Sequence, residues 1–140
     1  MNAMHPDIEP QVLFHEMIQE LSKKMHLDAV ILFGSRATGE WTEESDYDLV
    51  IIGDFKENLF ERTRIVLRLK PRVPVDVFCF TPDEFEHAFQ AFDLTAIDVV
   101  GEGIVLLGDA FMSQYKARHE NLVRSGMRKR KAVLLLPDQE

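Results

Sequence analysis

Apolar residues recur along this chain with spacings that predict both helices and strands. Between residues 12 and 25 they follow helical spacing, at positions 13, 14, 17, 18 and 21. The expected helices are 12–25, 59–69, 82–91, 94–100 and 110–124, and the expected strands are 29–33, 47–52, 73–80 and 104–107. This pattern indicates an α+β fold, in which helices pack on a small mixed β-sheet.

Length and composition set limits on this domain. With 140 residues and 46% hydrophobic content, we expect one globular domain spanning 1–140, with a basic and flexible C-terminal tail at 126–140. The single cysteine, Cys79, lies in an apolar strand and is expected to be a buried small hydrophobic residue. Without a disulfide framework, an apolar leader or a bilayer-spanning run, we expect a cytoplasmic protein without membrane contact.

Charge is distributed unevenly along the chain. Residues 110–131 hold seven Lys or Arg and one Glu, a net of +6, so the other residues carry −14 to reach the total of −8. An acidic body argues against a nucleic acid as the main substrate, because phosphodiester chains need a basic track. The basic tail could contact RNA, but a partner protein or solvent is the expected surrounding. Its apolar residues 133–136 could add a strand to a sheet edge, dock on a neighbouring subunit in a homo-oligomer, or be unordered.

Two short polar motifs lie at the ends of predicted strands. Gly34 and Ser35 follow the first strand, and Asp46 and Asp48 open the second. Glycine permits close backbone approach to a ligand, the serine hydroxyl and the following helical turn offer hydrogen-bond donors, and Arg36 adds a charge-assisted contact to phosphate. Side chains alternate along a strand, so the two carboxylates project together and favour a hard cation such as Mg²⁺ between them. Each motif alone is also typical of an ordinary turn.

A third carboxylate lies inside a predicted buried strand. Asp76 stands in the run 73–80, where an unpaired carboxylate is costly. It either completes a carboxylate triad with Asp46 and Asp48, or forms a buried salt bridge with Arg72 or Arg64. In the loop before Asp46, Trp41 is expected to anchor the loop rather than flank a nucleotide.

Together these residues resemble a known family signature. Gly34-Ser35, Asp46 and Asp48 after a ten-residue gap, and Asp76 on a later strand are similar to the DNA polymerase β superfamily of nucleotidyltransferases, and most similar to its minimal prokaryotic members. The resemblance covers roughly residues 12 to 108 and implies the polymerase β-like nucleotidyltransferase fold. It also implies that Gly34 and Ser35 hold the triphosphate of ATP, that Asp46 and Asp48 bind one or two Mg²⁺ ions, and that Asp76 joins the metal site and activates the acceptor.

The resemblance further suggests a partner. Similar minimal nucleotidyltransferases are encoded with a small helical HEPN-type toxin and act as antitoxins by transferring AMP from ATP to a tyrosine of that toxin. A protein adenylyltransferase with such a partner is therefore the leading hypothesis. Two alternatives stay open: a small-molecule nucleotidyltransferase similar to those acting on aminoglycosides, and a non-catalytic module that binds nucleotide or masks a partner's surface.

Overall fold

The computed structural model describes residues 9–42, 45–130 and 133–136. Its helices are α1 (Pro10–Lys24), α2 (Ser35–Thr38), α3 (Leu59–Leu67), α4 (Pro82–Gln90), α5 (Leu94–Glu102) and α6 (Asp109–Arg124). Its strands are β1 (Leu27–Phe33), β2 (Tyr47–Gly53), β3 (Val75–Phe80), β4 (Ile104–Leu107), β5 (Arg128–Arg130) and β6 (Val133–Leu135). Every predicted helix and strand is confirmed, with ends that fall within two residues of the expected ones. Within these ranges no helix has both the length and the apolar character needed to cross a bilayer.

Four strands form one mixed sheet in the order β3-β2-β1-β4. Strand β1 pairs antiparallel with both β2 and β4, whereas β2 and β3 run parallel. The parallel pair follows from helix α3, which carries the chain across the sheet between the two strands. The predicted α+β class with a small mixed sheet is therefore confirmed.

Helices cover both faces of this sheet, because alternate residues of β1 and β2 point to opposite sides. Helices α1 and α3 pack on one face, where the buried core includes Phe14, Leu21, Leu32, Leu49 and Val66. Helices α4, α5 and α6 pack on the other, where the core includes Ile31, Val50, Phe85, Ile97 and Met112. The candidate carboxylates project from the second face, because Asp48 lies two residues before Val50 on β2 and both side chains therefore point to the same side.

Strand β3 differs from the buried strand that the sequence predicted. It starts at Val75 rather than residue 73 and lies at an edge of the sheet. Asp76 is exposed, and Phe78 is 41% exposed. The prediction of a core strand was wrong because an apolar run does not reveal which strand lies at an edge.

A buried arginine ties α3 to this edge. Arg62 is only 6% exposed; its Nη1 donates to the Cys79 carbonyl at 3.2 Å and to Glu84 Oε1 at 2.6 Å. Glu84 also closes the capping box at the start of α4, where Thr81 accepts from the Glu84 amide. The predicted start of this helix at residue 82 is confirmed, whereas the Arg62 contact was not foreseen.

The C-terminal segment contains a short hairpin. Strands β5 and β6 pair antiparallel with each other, so the apolar residues adjoin the tail's own basic strand rather than an edge of the main sheet. Lys129 Nζ lies 2.9 Å from Asp98 Oδ2 and 3.8 Å from Glu102 Oε1 of α5. Residues 131, 132 and 137–140 of the expected tail lie outside the described residues.

Candidate functional site

Three carboxylates lie together on one face of the sheet. Asp46 immediately precedes β2, and along this segment Asp46 is exposed, Tyr47 is buried and Asp48 is half-buried, as strand alternation requires. Asp48 and Asp76 are Cα partners in the parallel pairing of β2 and β3. Adjacent strands lie about 4.8 Å apart, so these two side chains are lateral neighbours. We refer to Asp46, Asp48 and Asp76 as the carboxylate row.

The electrostatics of this row show mutual repulsion. The pKa of Asp48 is raised above its usual value of 3.8, mainly by burial and then by the negative charges of Asp76 and Asp46. Ionising the central carboxylate therefore costs more than ionising a free aspartate, and a nearby positive charge would lower that cost. The row is consequently a place where bound cations would relieve an existing electrostatic cost.

Gly34 brings the end of β1 against this row. Phe33, the last residue of β1, is the Cα partner of Asp48, and Gly34 follows it with φ +77°. A Cβ atom on residue 34 would overlap Asp48 Oδ2, so only glycine fits both the backbone conformation and the space. The backbone of the predicted phosphate loop thus adjoins the central carboxylate.

Ser35 opens helix α2 beside this turn. Its side chain is half-buried, and its hydroxyl makes no hydrogen bond to another residue that the structure describes. The hydroxyl is accordingly free to donate to a ligand without first breaking an internal contact.

The donor set for a metal is incomplete in the protein alone. Among the described residues, no three His, Cys, Asp or Glu side chains are arranged so that they could hold a metal ion. Mg²⁺ commonly binds through one or two carboxylates and takes its other ligands from water and substrate phosphates. The row fits a metal of that kind, which needs a phosphate ligand to complete its shell.

Arg36 makes contacts within the protein that the sequence did not predict, and its contact with phosphate stays a prediction. Its Nε and Nη2 donate to the Ser45 carbonyl at 3.1 and 2.8 Å. Its guanidinium lies 4.8 Å from the ring centre of Trp41 and 4.5 Å from that of Tyr47. Arg36 therefore holds together the loop that delivers Asp46, and the expected anchoring role of Trp41 is supported by this contact. The sequence offered one signal for this cluster, namely an arginine and two aromatic residues within or beside the same loop.

The salt-bridge alternative for Asp76 is wrong. Arg72 pairs instead with Glu16 at 3.3 Å, and Arg64 pairs with Glu61 on its own helix at 3.5 Å. Asp76 is exposed, so it does not need a buried partner.

Cys79 is not positioned as a nucleophile. Its side chain is buried, and burial raises the pKa of its thiol from 9.0 to about 12. The thiolate is therefore scarce at neutral pH, and the expected role as a small core residue is confirmed.

Known proteins share this sequence pattern and fold. The sequence profile of the polymerase β nucleotidyltransferase family matches residues 15–106, a range that contains Gly34, Ser35 and the whole carboxylate row. A candidate protein adenylyltransferase of Methanocaldococcus jannaschii, MJ0141, is 42% identical over 36% of this chain. The chain spans 58% of that relative's length.

Two solved toxin–antitoxin structures share the fold. One, crystallised with AMP-PNP, superposes with a TM-score of 0.52 at 18% identity and covers 78% of this chain and 86% of its own. The other, the MntA–HepT pair, superposes with a TM-score of 0.50 at 17% identity and covers 81% and 86%. Because the family profile spans well over half of the chain and includes the carboxylate row, this protein belongs to the polymerase β nucleotidyltransferase family.

Proposed function

We propose that this protein is a Mg²⁺-dependent nucleotidyltransferase that transfers AMP from ATP to a hydroxyl group of a partner protein. The observation that carries the proposal is the position of the Gly34 turn directly against the carboxylate row: Asp48 pairs laterally with Asp76, and a Cβ at residue 34 would overlap Asp48 Oδ2. A triphosphate is the natural ligand for such a turn next to a cation site.

The residues divide the chemistry between them. The Gly34 backbone and the Ser35 hydroxyl hold the β- and γ-phosphates, and Asp46 and Asp48 would hold Mg²⁺. When bound, the metal supplies positive charge that neutralises the phosphate oxygens. Asp76 accepts the proton of the attacking hydroxyl.

One bond forms and one breaks in this transfer. The acceptor oxygen bonds to the α-phosphorus, the bond from that phosphorus to the bridging α,β-oxygen breaks, and pyrophosphate leaves with the electron pair. The acceptor's proton moves to the Asp76 carboxylate. Positioning and electrostatic stabilisation supply most of the rate, because the protein itself forms no covalent bond.

We further propose that the acceptor is a tyrosine of a small helical HEPN-type protein, for which this chain acts as the antitoxin. The support is the shared fold with antitoxins of solved toxin–antitoxin pairs, together with the similarity to a candidate protein adenylyltransferase.

The test compares ATP labelled at the α-phosphate with ATP labelled at the γ-phosphate. The purified protein is incubated with each, with Mg²⁺ and with a lysate of its source cell. We expect α-label, but no γ-label, on one protein, and mass analysis of that protein should show an added AMP on tyrosine. Chelation of Mg²⁺ should abolish the label.

Asp46→Asn should lower the transfer by roughly 10³-fold, since it removes one of the metal's protein ligands. The matched control is Asp54→Asn, because Asp54 is also exposed but follows the opposite end of β2 and pairs with Lys56. It should keep full activity. Full transfer by Asp46→Asn would refute the assignment, and Mg²⁺-nucleotide binding without any transfer would favour the binding module.

A further inference from the structure

Phe78 is a large aromatic residue left open to solvent beside the carboxylate row. It lies on β3 two residues after Asp76, so both side chains project from the same face of the sheet. Its side chain is 41% exposed, whereas Phe85 and Phe89, which also lie on this side of the sheet, are buried. The exposed part of this ring is not buried by the chain itself, and it lies next to the carboxylate row, where a bound substrate would cover it.

The ring of Phe78 is held in place from one side. It packs edge to face against Phe33, with ring centres 5.5 Å apart and an angle of 66° between the rings. Phe33 is the Cα partner of Asp48, and Phe78 is the partner of Val50. The two rings therefore meet across β2 beside the carboxylate row, with Phe33 directly opposite Asp48 and Phe78 two residues after Asp76. We call this pair the Phe33–Phe78 ledge.

The strand order indicates which substrate the ledge meets. Gly34 and Ser35, which would hold the leaving pyrophosphate, follow β1, whereas Asp76 lies on β3, on the other side of β2. In phosphoryl-type transfer the attacking and leaving oxygens lie roughly in line across the phosphorus. The attacking hydroxyl must therefore approach from the β3 side, where Asp76 and Phe78 are neighbours.

We propose that Phe78 binds the acceptor by packing against the apolar or aromatic group that carries the attacking hydroxyl. This inference rests on the function proposed above and adds a residue that selects the acceptor. Asp76 takes the proton, while Phe78 takes no part in bond making and fixes the direction of the hydroxyl. A stacked or edge-on ring contact of this kind favours a hydroxyl on an aromatic group over one on a short aliphatic side chain.

The experiment measures acceptor and nucleotide parameters separately. The probe is the protein that becomes labelled with AMP in the experiment above, prepared in unmodified form. For Phe78→Ala we expect a roughly tenfold lower kcat/KM for this acceptor, mostly through a higher KM, with the Kd for Mg²⁺-ATP unchanged. Phe78→Tyr keeps the ring and should restore most of the transfer.

Phe60→Ala is the matched control, because Phe60 is an aromatic residue that is 69% exposed but lies on α3 rather than on the ledge. Its KM and kcat/KM for the acceptor and its Kd for Mg²⁺-ATP should equal those of the wild type. Either of two results for Phe78→Ala would overturn the inference: an unchanged KM for the acceptor, or a weaker affinity for Mg²⁺-ATP. If the wild-type protein transfers no AMP, the proposed function itself fails, which is a distinct result.

Discussion

Two glycines flank helix α2, and they are glycines for different reasons. Gly34 and Gly39 both have positive φ angles, of 77° and 86°, which L side chains rarely adopt. Around Gly39 no atom of a described residue lies within 4 Å of the place where a Cβ would stand, whereas at Gly34 the Cβ would overlap the Asp48 carboxylate. The two positions therefore share the backbone strain and differ in their contact with the site.

Alanine substitutions at these positions should separate strain from function. Gly34→Ala and Gly39→Ala should each lose about 1 kcal/mol of unfolding free energy through the positive φ angle. Only Gly34→Ala should also displace Asp48, and we expect it to lose Mg²⁺-ATP binding. Urea denaturation measures the first effect and calorimetric titration the second. Equal nucleotide affinity in the two variants would show that the overlap at residue 34 is relieved without disturbing the site.

At the scale of single residues, the sequence predicted which residues form the site more fully than it predicted the contacts of those residues. The shared direction of Asp46 and Asp48 is local, because alternation along an extended segment determines it. That Asp76 lies beside them depends on the β2–β3 pairing, which the family signature suggested and no local pattern contains. The Arg36 contacts to Ser45, Trp41 and Tyr47 depend on how the loop folds back, and side-chain type alone does not indicate this.

At the scale of helices and strands, local signals were sufficient to predict the existence and the ends of the longer elements. The capping box of Thr81 and Glu84 begins α4 where the sequence placed it. Whether a strand lies in the centre or at an edge of the sheet was not predictable in the same way. An apolar run reads alike in a central strand and in an edge strand, so the exposure of β3 appeared only once the strand order was known. The β5–β6 hairpin was missed for a similar reason, since three-residue strands carry little periodic signal.

Helices α4 and α6 are joined by a carboxylate with several donors. Glu86 accepts from Arg118 through both oxygens, at 2.8 and 2.9 Å, and from the Tyr115 hydroxyl at 2.8 Å. These bonds, led by the one from Arg118, lower the pKa of Glu86 from 4.5 to about 2. The negative charge is thus better stabilised in the folded state than in the unfolded chain.

This contact predicts a specific pH dependence. A lowered carboxylate pKa stabilises the fold above pH 4.5, and the stabilisation is lost as the pH falls towards 2. Glu86→Gln should therefore cost about 1 kcal/mol at pH 7, a figure reduced for screening because both partners are about a third exposed, and progressively less below pH 4.5. Urea denaturation between pH 7 and pH 3 measures this difference.

The control is Glu120→Gln, because Glu120 is an exposed glutamate on α6, and this variant should show no such trend with pH. A cost for Glu86→Gln that does not change with pH would refute the role of the charge.

At the scale of the whole molecule, charge is the property that separates protein partners from nucleic acids. The total of −8 combines a strongly acidic body with a basic segment near the C-terminus. Part of that basic charge is already used within the fold, because Lys129 pairs with Asp98 and adjoins Glu102. The field presented to a polyanion is therefore mostly repulsive, whereas a basic protein surface would be attracted.

Weak binding of RNA should follow from this field. We expect a 20-nucleotide single-stranded RNA to bind with a Kd no tighter than about 100 µM at physiological salt, at the weak end of non-specific binding. Fluorescence anisotropy measures this, with Lys116→Gln, which removes an exposed positive charge on α6, as the variant that weakens any contact made through the basic segment. If the RNA bound tightly through the basic segment, the logarithm of the affinity would fall against the logarithm of the salt concentration with a slope of about −0.7 for each phosphate neutralised. Lys116→Gln would then make that slope shallower by roughly one phosphate. A micromolar Kd with this behaviour would show that the basic segment dominates the acidic body, and nucleic acid would become a candidate acceptor.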